Sequence, residues 1–290
     1  MSVIAIFGPT GSGKTAVAEA LARRIPAEIV SADSMQVYRG LPILTNQGAG
    51  RLVGIWPLDR QRTVAEFQEL AHAAIDDILE SGRTPIVVGG SGLYFRAALV
   101  DLQLPPPVTE GERARWQRVY DRFGGETAHG LLRERDARAA SQVHRNDRKR
   151  VVRALELWST GFSLARPTSR LWTEETRHPT AVVGLDVPPK LLEARIVSRT
   201  RAMFDRGVVH EVREAGRIEP SILGFEAVLA LSPPDAAQEI VRATRRLAAY
   251  QRKWMRRIPG VVMVDAGRAV DEVADAIFEV ARAGQQLPAR

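Results

Sequence analysis

The chemistry most clearly written in this chain lies near its start, in Gly8, Pro9, Thr10, Gly11, Ser12, Gly13, Lys14 and Thr15. This Gly-x-x-x-x-Gly-Lys-Thr spacing is that of a phosphate-binding loop. Glycines let successive backbone N–H groups turn inward on phosphate oxygens, and the helix that follows adds its positive end. Lys14 supplies a point charge, and the Thr15 hydroxyl is placed to ligate Mg²⁺, the one cofactor expected. Such a loop specifies phosphate and leaves the reaction open. An enzyme that hydrolyses a nucleoside triphosphate also needs a carboxylate ending a neighbouring strand. Here the apolar run 86–88 leads into Gly89-Gly90-Ser91 without one. Asp186 and Asp265 are substitutes by position, and Asp33 is the best placed.

These side chains need a frame, and the hydrophobic pattern predicts one. Residues 3–7 form a continuous apolar run, as a strand buried on both faces requires. Good helix formers follow over 16–25, with Val17, Leu21 and Ile25 on one face. A second strand is expected at 28–32, a helix at 63–79 with Thr63 as its N-cap, and a third strand at 85–88. Strands alternating with helices predict an α/β fold, a P-loop NTPase-like parallel sheet flanked by helices. Residues 1–100 are the expected first part of that core. After Leu104-Pro105-Pro106-Pro107 the texture turns helical and charged, which predicts a helical insertion over 101–165. Strand signals return at 181–185 and 261–264, so 166–290 completes the core. Segments 111–125 and 163–178 carry no clear element signal. In a parallel sheet the loops after each strand gather at one edge, so Asp33 and Ser91 should both face the phosphate site.

The bulk numbers narrow the class. The 290-residue chain carries a net charge of +7, and its only lysines are Lys14, Lys149, Lys190 and Lys253. An arginine excess suits phosphate backbones, although a basic balance alone does not decide for a nucleic-acid partner. With no cysteine, disulfides, thiolate-ligated zinc and thiol nucleophiles are excluded. The five histidines show no metal spacing. The apolar run 3–7 is too short for a signal peptide, and no run approaches the length of a membrane span. The expectation is a soluble, cytoplasmic monomer.

Three segments make the chain recognisable: Gly8–Thr15, the ten residues Ser31-Ala32-Asp33-Ser34-Met35-Gln36-Val37-Tyr38-Arg39-Gly40, and Gly89-Gly90-Ser91-Gly92-Leu93-Tyr94. Together they closely resemble the tRNA dimethylallyltransferase family. The likeness continues through Asn146 to Glu156, in Arg195, Arg199, Met203 and Gly207, and from Thr244 through Gln251 to Trp254. It implies transfer of a dimethylallyl group from its diphosphate to the exocyclic amine of the tRNA adenine just 3′ of the anticodon. By that resemblance Gly8–Thr15 holds the diphosphate. Arg195 and Arg199, one helical turn apart, read as a paired clamp on it or as a solvated helix face beside Glu193, and the family position favours Arg199 for the clamp. Lys14, Thr15 with Mg²⁺, and Arg199 stabilise the leaving group. Asp33 is the implied general base, and Ser91 stands where the family usually has Thr, hydrogen-bonding the amine. Ser34, Met35 and Gln36 are the implied contacts of the flipped-out adenine or its neighbours. Lys149, Arg150, Val151, Val152 and Arg153 match a tRNA-contacting stretch.

A last helix is expected over 242–257, with seven basic residues and no acid. Leu247, Tyr250, Trp254 and Ile258 would pack on the core. Its free basic faces, Arg252 and Arg256 among them, suit an anticodon stem-loop backbone or simply a solvated surface. The chain also departs from the family pattern. The Thr-x-Lys-Pro segment and His-His pair usual after Gly40 give way to Thr45-Asn46-Gln47-Gly48 and a shortened loop. Gly224-Phe225-Glu226 replaces a Gly-Tyr followed by a basic residue. Rival readings are an adenylate isopentenyltransferase acting on free nucleotide, a small-molecule P-loop kinase, and a non-catalytic RNA-binding ATPase.

Overall fold

The computed structural model describes residues 2–105, 109–165 and 170–286. Pro106 and Pro107 of the expected proline break lie outside them. The chain divides into two compact units, Met1–Leu102 with Arg170–Arg290, and Gln103–Ser169.

The first unit is built on a parallel sheet. In chain order its elements begin with β1 (Val3–Phe7), α1 (Lys14–Ala22), β2 (Ala27–Ser31), α2 (Pro42–Thr45), α3 (Val64–Glu80), β3 (Thr84–Gly89) and α4 (Gly92–Leu99). The second unit contributes α5 (Glu110–Arg135), α6 (Ala137–Gln142) and α7 (Arg148–Ser159). The first unit then resumes with β4 (Thr180–Asp186), α8 (Pro189–Asp205), α9 (Val208–Ala215) and α10 (Phe225–Ala230). It closes with α11 (Pro233–Met255), β5 (Val262–Asp265) and α12 (Val270–Gln286).

The five strands lie in the order β2-β3-β1-β4-β5, all parallel. Strand β1 is central, with Ile6 opposite Val88 on one side and Val183 on the other. Every residue of β1 is buried, which is why an unbroken apolar run forms it. Burying each of Ile4, Ile6 and Phe7 contributes roughly 1.5–3 kcal/mol. Thr63 caps α3 as expected: its hydroxyl accepts from the Glu66 amide at 3.2 Å, and Glu66 accepts from the Thr63 amide at 2.8 Å.

Three expectations are corrected. The basic helix begins at Pro233, capped by Ser232, and is followed by β5 and α12, so it is not the last. Its inward face is Ala236, Ile240, Thr244, Ala248, Gln251 and Met255, leaving Tyr250 57% exposed. The expected Leu247–Tyr250–Trp254 stripe lies one position round the helix from the buried one. Segment 111–125 belongs to α5, which is interrupted at Gly124 by a left-handed φ of 80°.

The second unit has its own core. Val151, Val152 and Leu155 of α7 pack with Trp116, Ala128 and Leu132 of α5. Asp147 starts α7 by accepting from the Arg150 amide at 3.1 Å. Buried Glu156 is offset by Arg113 at 3.4 Å and Arg153 at 3.2 Å.

Candidate active site

The segment after β1 turns back on itself through Gly11 and Gly13, at φ of 82° and 87°, values a side chain would strain. Gly13 opens α1 with no side-chain cap, so the first-turn amides stay available to an anion. Lys14 Nζ donates to the Gly8 and Pro9 carbonyls, both at 2.8 Å. The residue is half-exposed as a whole, but its ammonium is enclosed by protein. That desolvation pushes its pKa down to about 8, with the Asp33 charge opposing and Arg199 adding to the fall.

Two arginines from α8 reach the same loop. Arg199 Nη1 donates to Thr10 Oγ1 at 2.7 Å, and Arg195 Nη1 to the carbonyls of Ser12 at 3.4 Å and Ala266 at 3.5 Å. Burial lowers the pKa of Arg199, partly countered by Asp33. Its Nε is buried without an acceptor among the described residues, the condition an incoming anion would relieve. From α11, Gln251 accepts the Thr10 amide at 2.7 Å, so Thr10 is held at both backbone and side chain. Gly90 permits this approach, because a Cβ there would fall 2.6 Å from Gln251 Nε2. Both Gln251 and Arg206 line the same cavity; the family likeness includes Gln251 without a role, and no motif points to Arg206. Arg206 shares its helical face with Arg195 and Arg199, the signal that could have found it.

The cavity over the loop measures about 460 Å³. Lys14, Arg195, Arg199 and Arg206 line it, and Asp33 is its one carboxylate among the described residues. Asp33 follows β2, two strands from β1, and its Oδ1 accepts from the amides of Met35 at 2.9 Å and Gln36 at 3.3 Å. Its second oxygen makes no bond within the described chain. Asp186 and Asp265 are spent elsewhere, on Arg252 at 3.0 Å and on the Gly267 amide at 2.8 Å. Ser91 does not line the cavity as expected: its Oγ meets Ser34 Oγ at 2.8 Å and the Ser34 amide at 3.3 Å. It thereby braces the turn that carries Asp33.

The shortened loop after Gly40 forms one wall. Gln36 lines the cavity, where it accepts from Ser31 Oγ at 3.2 Å and donates to the Asn46 carbonyl at 2.8 Å. The Glu211 carboxylate of α9, which is buried, caps α2 by accepting from the amides of Ile43 at 2.6 Å and Leu44 at 2.8 Å. Beyond α2 the chain rests on Thr15, where a Cβ at Gly48 would lie 2.7 Å from Thr15 Cγ2.

Two family models match the chain. The IPP transferase model matches residues 36–258, and the isopentenyl transferase model matches 1–53. The tRNA dimethylallyltransferase of Salinispora arenicola is 38% identical, with 98% of this chain and 88% of that one covered. The chain belongs to this family. The tRNA dimethylallyltransferase of Streptomyces coelicolor is 38% identical, covering 92% of this chain and 91% of the relative. Among solved structures, the tRNA isopentenylpyrophosphate transferase of Bacillus halodurans superposes with a TM-score of 0.69 at 28% identity, covering 98% of each chain. A eukaryotic dimethylallyltransferase captured acting on tRNA gives a TM-score of 0.74 at 25% identity over 91% of this chain and 74% of that one.

Family membership gives the remaining basic residues a context, and the structure sorts them. Lys149 and Arg150 are exposed, whereas Val151 and Val152 are buried in the second unit's core and have no side chain to offer RNA. The basic faces of α11 are less free than expected. Arg242 and Arg246 pair with Glu239 at 2.8 and 3.2 Å, Arg245 with Glu193 at 2.5 Å, and Arg252 with Asp186 at 3.0 Å. Arg256 remains exposed. Trp254 is half-buried, tilted against Trp172 with ring centroids 4.8 Å apart and pressed against Gly92.

Proposed function

We propose that this protein transfers a dimethylallyl group from dimethylallyl diphosphate to the exocyclic amine of the adenine 3′-adjacent to the anticodon in tRNA, releasing diphosphate. The observation that carries it is one cavity lined by the phosphate loop, Arg195, Arg199 and Asp33, its single carboxylate among the described residues, whose charge reaches both Lys14 and Arg199. A kinase or ATPase would need a carboxylate on Mg²⁺ in addition to any base, and Asp186 and Asp265 are already engaged in other bonds, leaving Asp33 alone in the cavity for one of the two roles.

The chemistry follows from the charges. Breaking the C1–O bond of an allylic diphosphate leaves a delocalised cation and puts negative charge on the departing oxygen. Lys14, Arg195, Arg199 and the open amides of α1 stabilise that charge, Lys14 and Arg199 from positions the protein desolvates. The adenine amine is a weak nucleophile because its lone pair is drawn into the ring. As its nitrogen bonds to C1, the unshared oxygen of Asp33 takes the amine proton. The backbone bonds to Asp33 Oδ1 hold the carboxylate in place for that step. Reaching it requires the base to leave its stack, as other base-modifying enzymes require. Mg²⁺ fits a hard, oxygen-lined position: the Thr15 hydroxyl lines the cavity with no side-chain hydrogen bond to a described residue, and the donor supplies phosphate oxygens. Bound there, it would neutralise part of the diphosphate charge.

The direct test is incubation with dimethylallyl diphosphate, Mg²⁺ and unmodified tRNA, followed by mass spectrometry of the digested nucleosides. A prenylated adenosine is the expected product. Prenylation of free AMP with none of tRNA would move the reading to the nucleotide-acting relatives.

A further inference from the structure

The donor cavity holds one cation more than the transfer uses. Lys14, Arg195 and Arg199 are each tied to the phosphate loop by hydrogen bonds. Arg206 lines the same cavity, is exposed, and its guanidinium makes no hydrogen bond or ion pair with any described residue. It stands at the C-cap of α8, seven residues beyond Arg199 on the same helical face. At the rise of an α-helix that is about 10 Å further along the axis from the phosphate loop. Ala202 and Met203 line the cavity between the two arginines, so Arg206 marks its outer end along α8.

An acceptor base that enters to meet Asp33 must leave its sugar and phosphate at the rim. There the donor's diphosphate is already met by three deeper cations and the loop amides. A solvent-exposed arginine with no internal partner suits a single backbone phosphate, which fixes register and carries no sequence preference. We propose that Arg206 binds a backbone phosphate of the RNA nucleotide whose base enters the cavity, positioning the acceptor and not the donor. This rests on the transfer reading above, but it is tested by binding, which needs no turnover.

The test is Arg206→Gln, with affinities titrated directly for an anticodon stem-loop RNA and for inorganic diphosphate. The RNA dissociation constant should rise roughly five- to twentyfold, and the slope of log K against log salt should lose about one unit. The diphosphate constant should not move. Arg206→Lys should recover most of the RNA affinity, since a phosphate accepts a point charge as well as a fork. In RNA carrying one neutral methylphosphonate linkage beside the target adenosine, the unsubstituted protein should lose affinity and Arg206→Gln should lose little more. Unchanged RNA affinity in Arg206→Gln, or a loss confined to diphosphate, overturns the assignment. Absence of prenyl transfer by the unsubstituted protein, with Arg206-dependent RNA binding intact, would sink the transfer reading and leave this contact standing.

Discussion

Raising the pH should weaken donor binding, and the Lys14 ammonium sets by how much. Its pKa in the free protein lies at about 8, chiefly because the protein desolvates it. A diphosphate seated beside it favours the charged form, so binding raises that pKa and takes up a proton. Affinity is therefore full below about 8 and lost as pH climbs through it. If only the charged form binds, moving from pH 7 to 9 cuts the competent fraction about tenfold, or about 1.4 kcal/mol. The ligand contributes little to the change, since phosphate groups with a second pKa near 6 are already ionised at pH 7. Titration calorimetry with dimethylallyl diphosphate in buffers of different ionisation enthalpy would read both the affinity and the proton uptake. Lys14→Arg should flatten the profile, because guanidinium stays charged throughout. A flat profile in the unsubstituted protein, with no buffer-dependent heat, would refute the reasoning.

Other substitutions separate the parts of the site. Asp33→Asn should slow transfer at least about a hundredfold while the donor dissociation constant changes less than a few-fold, as read by single-turnover kinetics and titration. A comparable loss of donor affinity would instead place Asp33 on the metal. Gln251→Leu removes the acceptor for the Thr10 amide and should raise the donor KM, with about 1–3 kcal/mol lost from unfolding stability in urea. Glu211→Gln weakens the cap on α2 by about 1 kcal/mol, and hydrogen exchange should quicken at Ile43 and Leu44 before it does in the sheet.

Much of this was legible because some residues can do only one thing where they stand. A Gly-rich turn between a buried apolar run and a helix has few uses other than holding phosphate, and a parallel sheet brings the ends of β1, β2 and β3 to one edge. That reasoning placed Asp33 correctly and Ser91 too far in. Ser91 and Ser34 satisfy each other, a pairing no spacing rule carries. The register of α11 was missed for a physical reason: its buried face includes Thr244 and Gln251, so ranking by hydrophobicity selected the neighbouring stripe. Gln251 is buried because it holds the phosphate loop, and Glu211 because it caps a helix more than 160 residues away in sequence. Side chains that serve distant backbone leave no local pattern. Likewise the acids that pair with the α11 arginines come partly from α8 and β4.

The attachment of Thr10 has a consequence for biosynthesis. The anion seat begins at the eighth residue, yet the two grips on Thr10 come from positions 199 and 251. On a translating ribosome the amino-terminal strand, turn and helix emerge long before either partner exists. A nascent chain arrested before Gln251 should carry the whole glycine motif and still fail to retain diphosphate. The helices of Gln103–Ser169, whose core residues pack on one another within that stretch, have what they need to form earlier.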